Sequence, residues 1–210
     1  MVKTVFKSFY FRLYPSKEQE ILLSKHFGCS RFIYNHFLSE RINQYKNTKK
    51  SDSYNKQANK LAILKKQDDT AWLKEVNSQA LQASLKNLDV AYKSFFKGKS
   101  KFPRFKSKNN KNSFTVPQHG KVKDGRIYIP KFKEGIKTKC HRDINGRITR
   151  MTVTKKPSGK YYVSILAEVY IETLSKTGKS VGCDMGIKDF LITSDDQKFK
   201  NSTKTFISES

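Results

Sequence analysis

Residues 179–193 read Lys179-Ser-Val-Gly-Cys-Asp184-Met-Gly186-Ile-Lys188-Asp189-Phe190-Leu-Ile-Thr193. This pattern predicts a hydrophobic strand that carries one carboxylate, Asp184, followed by a glycine turn and a second apolar run. Further on, Asp195 and Asp196 favour a hairpin turn between Thr193 and Lys198. The end of the chain is therefore expected to contain short strands, with Asp184 displayed on the first of them.

A carboxylate on such a strand is how the first acidic residue of an RNase H-like nuclease is displayed. These nucleases hold two divalent cations about 4 Å apart, which requires several acidic ligands from separated parts of the fold. Only about 26 residues follow Asp184 in the sequence. The pattern indicates a metal-dependent nuclease domain without its other carboxylates, so Asp184 is predicted to be a vestigial catalytic and metal-binding residue.

The charge composition points to a polyanionic partner. The chain has 43 Lys and Arg against 18 Asp and Glu, which gives a net charge of +25. Such a chain repels itself, so a ligand explains the excess better than the stability of the fold does. Nucleic acid is the first candidate, because 12% aromatic and 36% hydrophobic residues are too many for a disordered basic tail.

The sequence predicts a cytoplasmic protein with no membrane partner. No apolar run approaches about 18 residues, and the first residues lack the hydrophobic segment of a signal peptide. Cys29, Cys140 and Cys183 form no Cys-x-x-Cys pair and are odd in number. Neither a zinc site nor a disulfide framework is expected, and we interpret all three as small apolar fillers.

Hydrophobic periodicity predicts one strand followed by helices. Residues 5–13 alternate as a strand, with Val5, Phe9, Phe11 and Leu13 on one face, Lys7 intruding and Pro15 ending it. A capping box of Ser16 and Gln19 starts a helix to about residue 46, either continuous or broken at Gly28. A weaker helix over residues 54–66 and a strong one over about 77–96 follow.

Short strands are predicted in the second half of the chain. They cover residues 126–129, 148–155 and 161–170, and residues 156–160 join the last two as a hairpin. The first strand must pair with strands after residue 112, so the helices are expected to be inserted into a β domain. A new domain is expected from about Lys179.

Residues 97–111 form a basic tract. Seven of these fifteen residues are Lys or Arg, and Phe102, Pro103 and Phe105 lie among them. A run of charge is usually a solvated surface, but aromatic side chains among cations at a proline turn suit phosphate contacts beside a stacking or wedge side chain. The predicted nucleic-acid-binding cations are Lys97, Lys99, Lys101, Arg104, Lys106 and Lys108.

Five ordered motifs resemble one protein family. They are Phe11-Arg12-Leu13-Tyr14-Pro15, Gly28-Cys-Ser-Arg31-Phe32-Ile-Tyr34-Asn35, Leu85-Lys-Asn-Leu88 with Ala91-Tyr92-Lys93, Phe102-Pro103-Arg104-Phe105, and Asp184-Met-Gly186-Ile-Lys188. From residue 1 to about residue 200 the chain resembles the N-terminal half of TnpB, also called OrfB. That family consists of RNA-guided DNA endonucleases encoded by transposons of the insertion-sequence type.

The resemblance implies an α+β fold in three parts. A wedge-type β-barrel would take residues 1–15 and 100–178. A helical recognition lobe, described in older work as a helix-turn-helix region, would take 16–99. The first strands of a RuvC-like nuclease domain would take 179–210. The implied partners are DNA and a guide RNA from the transposon end, and we expect a monomer.

The chain departs from the family pattern at its end. Family members continue with a long basic helix, a catalytic glutamate, a zinc ribbon and a final aspartate, and intact members use Mg²⁺. We expect a truncated copy that ended prematurely and has no cofactor of its own. The alternative is a trimmed DNA-binding derivative.

Base edges are read by short neutral side chains or by Arg on rigid elements. The start of the strong helix offers Ser78, Gln79 and Gln82. By resemblance, Tyr54, Gln82 and Thr115 match positions that read the motif beside the target, whereas Ser78 and Gln79 differ between members. Ordinary capping by Ser78 and simple packing of Tyr54 remain open alternatives.

The favoured function is that of a TnpB-like, nucleic-acid-binding protein that acts in DNA transposition and recombination. It would bind guide RNA or target-adjacent DNA without cutting the DNA. One alternative is part of an active RNA-guided endonuclease, completed by a second polypeptide encoded downstream. Another is a helix-turn-helix DNA-binding protein that needs no guide.

Overall fold

The structure is a computed structural model that describes residues 2–109, 112–173, 175 and 177–201. The chain divides into two compact units, one covering Val2–Ile171 and the other the residues from Glu172 onward. Helices and strands both contribute to the fold, which confirms the α+β class. Residues 202–210, and Lys111 at the end of the basic tract, lie outside the described residues.

The larger unit begins with strand β1 (Val2–Tyr14). Phe9, Phe11 and Leu13 are buried on one face of this strand, while Lys7 on the same face is exposed. The alternation predicted from the sequence is therefore confirmed. Pro15 follows the strand directly and cannot donate a ladder hydrogen bond, which is consistent with the end of the strand here.

Within the described ranges, three α-helices follow β1. They are α1 (Lys17–Thr48), α2 (Tyr54–Leu64) and α3 (Ser78–Phe96), and a 3₁₀ helix (Asp68–Glu75) precedes α3. The capping box of α1 is confirmed, because the Gln19 amide donates to Ser16 Oγ at 3.3 Å and the Ser16 amide donates to Gln19 Oε1 at 3.1 Å. Helix α1 runs through Gly28 without a break. The sequence did not predict the 3₁₀ helix.

The helices share one apolar core. It contains buried residues of α1 and α3, together with Leu61 of α2 and Leu73 of the 3₁₀ helix. Its principal members are Cys29, Ile33, Phe37, Leu61, Leu73, Leu81, Leu85, Leu88 and Tyr92. Among the helices in the described ranges, none combines the length and the apolar character needed to cross a membrane.

A seven-stranded sheet completes the larger unit. Its later strands are β2 (Asn112–Val116), β3 (Lys121–Lys123), β4 (Arg126–Tyr128), β5 (Ile136–Thr138), β6 (Arg147–Lys155) and β7 (Tyr161–Glu172). The strand order is β2-β6-β7-β1-β5-β4-β3. Strand β1 thus lies between two strands from the second half of the chain, and the helices are an excursion between strands of one sheet.

The connection between β2 and β3 shows that this sheet is strongly curled. These are the two edge strands, and only residues 117–120 join them. Such a link spans at most about 17 Å, whereas the edges of a flat seven-stranded sheet would lie about 29 Å apart. The link packs closely on β6, since a Cβ placed on Gly120 would lie 2.7 Å from Met151 Sδ. The curl is compatible with a barrel, and the wedge-type fold remains a prediction.

The inside of the curled sheet holds the second apolar core. It is formed by alternating residues of β1, β2, β6 and β7 and is closed by Leu23 and Phe27 of α1 and Ala80 of α3. Helices α1 and α3 therefore contribute to both cores, which fixes the helical part of the larger unit onto its sheet.

The smaller unit contains strands β8 (Cys183–Asp184), β9 (Asp189–Thr193) and β10 (Lys198–Lys200) in the order β10-β9-β8. Both pairings are antiparallel. The predicted turn at Asp195 and Asp196 is confirmed, because the Asp196 amide donates to the Thr193 carbonyl at 3.0 Å. The assignment of these strands to a RuvC-like domain remains a prediction.

Candidate nucleic-acid interface

The basic tract is attached to the helical core at its proline turn. The Phe102 ring meets the rings of Tyr92 and Phe95 edge-on, with centroids 5.6 and 5.3 Å apart, and Pro103 is buried. Phe102 therefore serves at least partly as an anchor of the tract. Phe105 is 55% exposed, which leaves its ring accessible to a stacking partner.

A second attachment joins the tract to α1. The Asn35 side-chain amide donates to the Lys106 carbonyl at 2.9 Å, and the Lys106 amide donates to Asn35 Oδ1 at 2.8 Å. The Lys106 ammonium lies 4.0 Å from the centroid of the Tyr34 ring. Packing in this position desolvates the ammonium and lowers the pKa of Lys106. The side chain of Asn35 thus forms hydrogen bonds with both the backbone N–H and the backbone C=O of Lys106.

The far end of the tract is fixed where it enters β2. Arg31 Nη1 of α1 donates to Asn112 Oδ1 at 3.0 Å, and Asn112 Nδ2 donates to the Lys108 carbonyl at 3.0 Å. Residues 98–108 are therefore held at three places, although they form no helix or strand.

Between these attachments the cations face solvent. Lys97, Lys99, Lys101, Arg104 and Lys108 are all exposed. Because their backbone is held in place, the positive charges occupy one strip of surface. A strip of exposed Lys and Arg can neutralise successive phosphates and release their counterions. The binding of nucleic acid by this tract stays a prediction.

The residues predicted to read bases lie on three elements. On α3, Ser78 and Gln82 are exposed, and Gln79 is half-buried. The cap of α3 is Asn77, whose Oδ1 accepts from the Gln79 amide at 3.1 Å, so the capping alternative for Ser78 is wrong. Ser78 Oγ instead accepts from Lys65 Nζ at 2.6 Å.

The other two predicted readers are more enclosed. Tyr54, at the start of α2, packs against the helical core, in agreement with the packing alternative. Thr115 of β2 lies with its Oγ1 3.1 Å from Thr152 Oγ1. Of the five predicted readers, Ser78 and Gln82 are thus the most accessible to a base edge.

Asp184 is exposed on β8, opposite Ile192 of β9. Across the described ranges, no group of three or more His, Cys, Asp or Glu side chains could hold a metal ion. The side chains around Asp184 in this part of the chain therefore do not fit a pair of Mg²⁺ ions, which needs several converging carboxylates.

The cysteines differ from one another in their surroundings. Cys29 is buried in the helical core, and burial raises the pKa of its thiol to about 11. Cys140 and Cys183 are exposed. The interpretation of all three as apolar fillers is therefore correct for Cys29 and wrong for the other two, which are exposed.

Sequence reasoning missed the roles of Arg31, Tyr34 and Asn35. All three lie in the motif that starts at Gly28, so the motif itself was the available signal. Their spacing places them on successive turns of α1, where they form the surface on which the tract rests.

Comparisons with known proteins identify a matching family model and several relatives. A family model described as a helix-turn-helix domain (HTH_OrfB_IS605) matches residues 1–50, which here form β1 and the continuous helix α1. The chain is 33% identical over 197 residues to a protein of Escherichia coli (strain K12) whose name is that of a candidate RNA-guided DNA endonuclease, InsQ. The alignment covers 92% of this chain and 48% of that protein.

Two further relatives extend the comparison. A candidate RNA-guided DNA endonuclease of Streptomyces pristinaespiralis is 31% identical over 205 residues, which cover 96% of this chain and 51% of that protein. Virulence protein VsdF of Salmonella dublin is 37% identical over 108 residues, or 47% of this chain and 91% of that protein. The chain spans about half the length of the two endonuclease relatives. These similarities, together with the five ordered motifs, show that the chain belongs to the TnpB/OrfB family.

Proposed function

We propose that this chain binds nucleic acid as a TnpB-like transposon protein and uses a guide RNA to reach its DNA target. The observation that carries the proposal is the basic tract, whose exposed cations are held on the helices by Phe102, Asn35 and Arg31. The names of two relatives, which refer to RNA-guided DNA endonucleases, support both DNA and RNA as partners.

The anchoring of the tract has an energetic consequence. A disordered basic segment would lose conformational entropy when it met a phosphate backbone. In this chain the backbone is already ordered, so that cost is limited to the Lys and Arg side chains. The contacts are made to phosphates, which position the protein without reading sequence.

A salt titration tests this role. If about six phosphates are neutralised, log K for duplex DNA should fall with a slope of roughly −5 against log[salt]. The triple variant K101A/R104A/K108A should bind every sequence more weakly and reduce the magnitude of the slope by about 3. The control K121A/K123A/K133A removes the same charge from exposed positions around β3 and β4. If the two triple variants had the same affinity and salt slope, or if the slope of the wild type were near zero, the tract would be only a solvated surface.

We further propose that these 210 residues bind without cutting. Support comes from the exposed position of Asp184 on β8 and from the lack of converging acidic side chains around it in the described ranges. D184A should leave affinity for guide RNA and DNA unchanged within about twofold. Magnesium-dependent cleavage by the purified chain, lost in D184A, would show this proposal to be wrong.

A second candidate function is that of one part of an active endonuclease, which another polypeptide would complete. One observation favours it, namely the exposed apolar side chains of the smaller unit. Ile187 is 95% exposed and Met185 is 71% exposed, and Val181, Phe190 and Phe199 are also exposed. Exposed apolar side chains of this kind can mark a contact surface. Addition of the polypeptide encoded downstream should then produce Mg²⁺-dependent cleavage that D184A abolishes, and no cleavage in the mixture would remove this candidate.

A further inference from the structure

A tyrosine pair lies on the side of the curled sheet that faces away from its core. Tyr10 of β1 and Tyr162 of β7 are stacked, with ring centroids 5.1 Å apart and ring planes only 8° from parallel. Tyr10 is 46% exposed. Each ring therefore covers one face of the other, and part of the Tyr10 ring remains open to solvent.

A row of hydroxyl groups crosses the same side of the sheet. Ser8 Oγ lies 3.1 Å from Ser164 Oγ, and Thr115 Oγ1 lies 3.1 Å from Thr152 Oγ1. Thr152 is also directly opposite Ser164 in the β6–β7 register, so the four hydroxyls line up across β1, β7, β6 and β2. Each bonded pair uses one O–H and keeps the other free to donate. The row is two residues along the strand from the tyrosine pair, or about 7 Å.

Positive charge borders the tyrosine pair. The Lys156 ammonium is 5.6 Å from the Tyr162 ring centroid and 5.9 Å from that of Tyr10. Lys156 and Lys160 are exposed on the β6–β7 hairpin. A groove of about 610 Å³ is lined by Tyr10, Thr154, Lys156 and Ser164 among others, and it brings ring, hydroxyl and ammonium groups together.

We infer that this outer sheet surface, defined by Tyr10, Tyr162, Lys156 and the row from Ser8 to Thr115, binds unpaired nucleotides of RNA. A base stacks on the face of Tyr10 that Tyr162 does not cover, Lys156 contacts the adjoining phosphate, and Ser8 or Ser164 bonds the ribose 2′-hydroxyl. Bases of a duplex are already stacked on one another, so the rings favour single strands. The free hydroxyls favour RNA over DNA, because the 2′-hydroxyl distinguishes the two.

The inference rests on the proposed function only for the source of the RNA, which would be unpaired nucleotides of the guide. The contribution of the tyrosines differs in chemistry from that of the basic tract, since stacking does not release counterions, whereas the Lys156 contact does. The two sites can therefore be separated by their response to salt.

Fluorescence anisotropy with the full chain tests the inference. The probes are a labelled 12-nucleotide RNA without secondary structure, the deoxy strand of the same sequence, and a 12-base-pair RNA duplex. Y10A/Y162A should weaken binding of the single-stranded RNA by between about 5-fold and 100-fold. The slope of log K against log[salt] should be unchanged, and duplex affinity should stay within about twofold.

Three controls accompany this measurement. Y10F/Y162F keeps the rings and should bind the single-stranded RNA within about threefold of the wild type, which also guards against misfolding of the alanine variant. Y45A removes a tyrosine that is 55% exposed on α1 and should have no effect. The wild type should bind the deoxy strand several-fold more weakly than the RNA.

Several results would overturn the inference. They are unchanged affinity of a folded Y10A/Y162A variant for single-stranded RNA, an equal loss on the duplex, and equal affinity of the wild type for RNA and DNA single strands. Failure of guide-dependent DNA binding alone would contradict the proposed function. The stacking site would still stand in that case if the tyrosine variants behaved as described.

Discussion

At the scale of single residues, Asn35 has a large structural effect for a partly exposed side chain. Its amide group pairs with both backbone groups of Lys106, in the way a neighbouring strand would. N35A should therefore lower the free energy of unfolding by about 1–2 kcal/mol and should accelerate trypsin cleavage within residues 99–108. Urea unfolding and limited proteolysis would measure the two effects.

Asn43 provides the matched control for this substitution, since it is an exposed asparagine on the same helix. N43A should be within about 0.5 kcal/mol of the wild type. If N35A were as stable and as resistant to trypsin as N43A, the Asn35 pairing would not be what holds the tract in place.

His26 gives the larger unit a pH-dependent stability. Its Nδ1–H donates to the Leu22 carbonyl at 2.8 Å, and its Nε2 accepts from the Asn77 amide at 3.1 Å, an arrangement that requires the neutral ring. Burial lowers the pKa of His26, and the nearby charge of Lys131 lowers it further. As pH falls below about 6.5, the unfolded chain takes up a proton that the folded chain does not. Stability should therefore decrease as pH falls.

Urea unfolding at pH 7.5 and pH 5.0 checks this sign. The wild type should lose more stability between the two values than H26Q, which cannot titrate at this position. An equal loss in the two proteins would show that the pKa of His26 is the same in the folded and unfolded states.

At the scale of elements, the sequence predicted those helices and strands whose positions depend on local patterns of residues. Alternation predicted β1, the Ser16 and Gln19 pair predicted the start of α1, and hydrophobic periodicity predicted α3. It missed the 3₁₀ helix over Asp68–Glu75, whose place is fixed by the burial of Leu73 in the helical core rather than by a periodic pattern. Gly28 is tolerated within α1 because both ends of the helix are capped and because α1 has buried residues from Leu23 to Arg41.

Helix α3 presents Gln82 to solvent at a place where a base edge could be reached. Gln82 is exposed, and a side chain on a regular helix is better positioned for readout than one on a loop. Q82A should weaken binding by about 1–3 kcal/mol on the preferred target-adjacent motif and much less on random duplex. The preferred motif would be selected from a randomised library beside a guide-matched target.

Asn87 serves as the control for this experiment, since it is an exposed amide side chain on the same helix. N87A should affect neither DNA. Equal losses from Q82A on the preferred and the random duplex would remove Gln82 from the readout and direct attention to Ser78, the other accessible candidate on α3.

At the scale of the whole molecule, composition and motifs predicted the class, the family and the basic tract, because these depend on residue content and order. The attachments of the tract could not be predicted in the same way. Asn35 and Lys106 are 71 positions apart in the sequence, and their meeting depends on how α1, α3 and β2 pack. The Tyr10 and Tyr162 pair likewise depends on strand order in the sheet. Long-range geometry of this kind leaves no local pattern in a single sequence.

Guide dependence of DNA binding is the most direct measurement of the proposed function. The purified chain would be titrated onto a duplex that matches the guide, with and without RNA transcribed from the transposon end, in the presence of Mg²⁺. We predict tight binding only when the RNA is present and matches the duplex, with both DNA strands left intact. Equal affinity with and without the RNA would contradict RNA-guided binding and favour a DNA-binding protein that needs no guide.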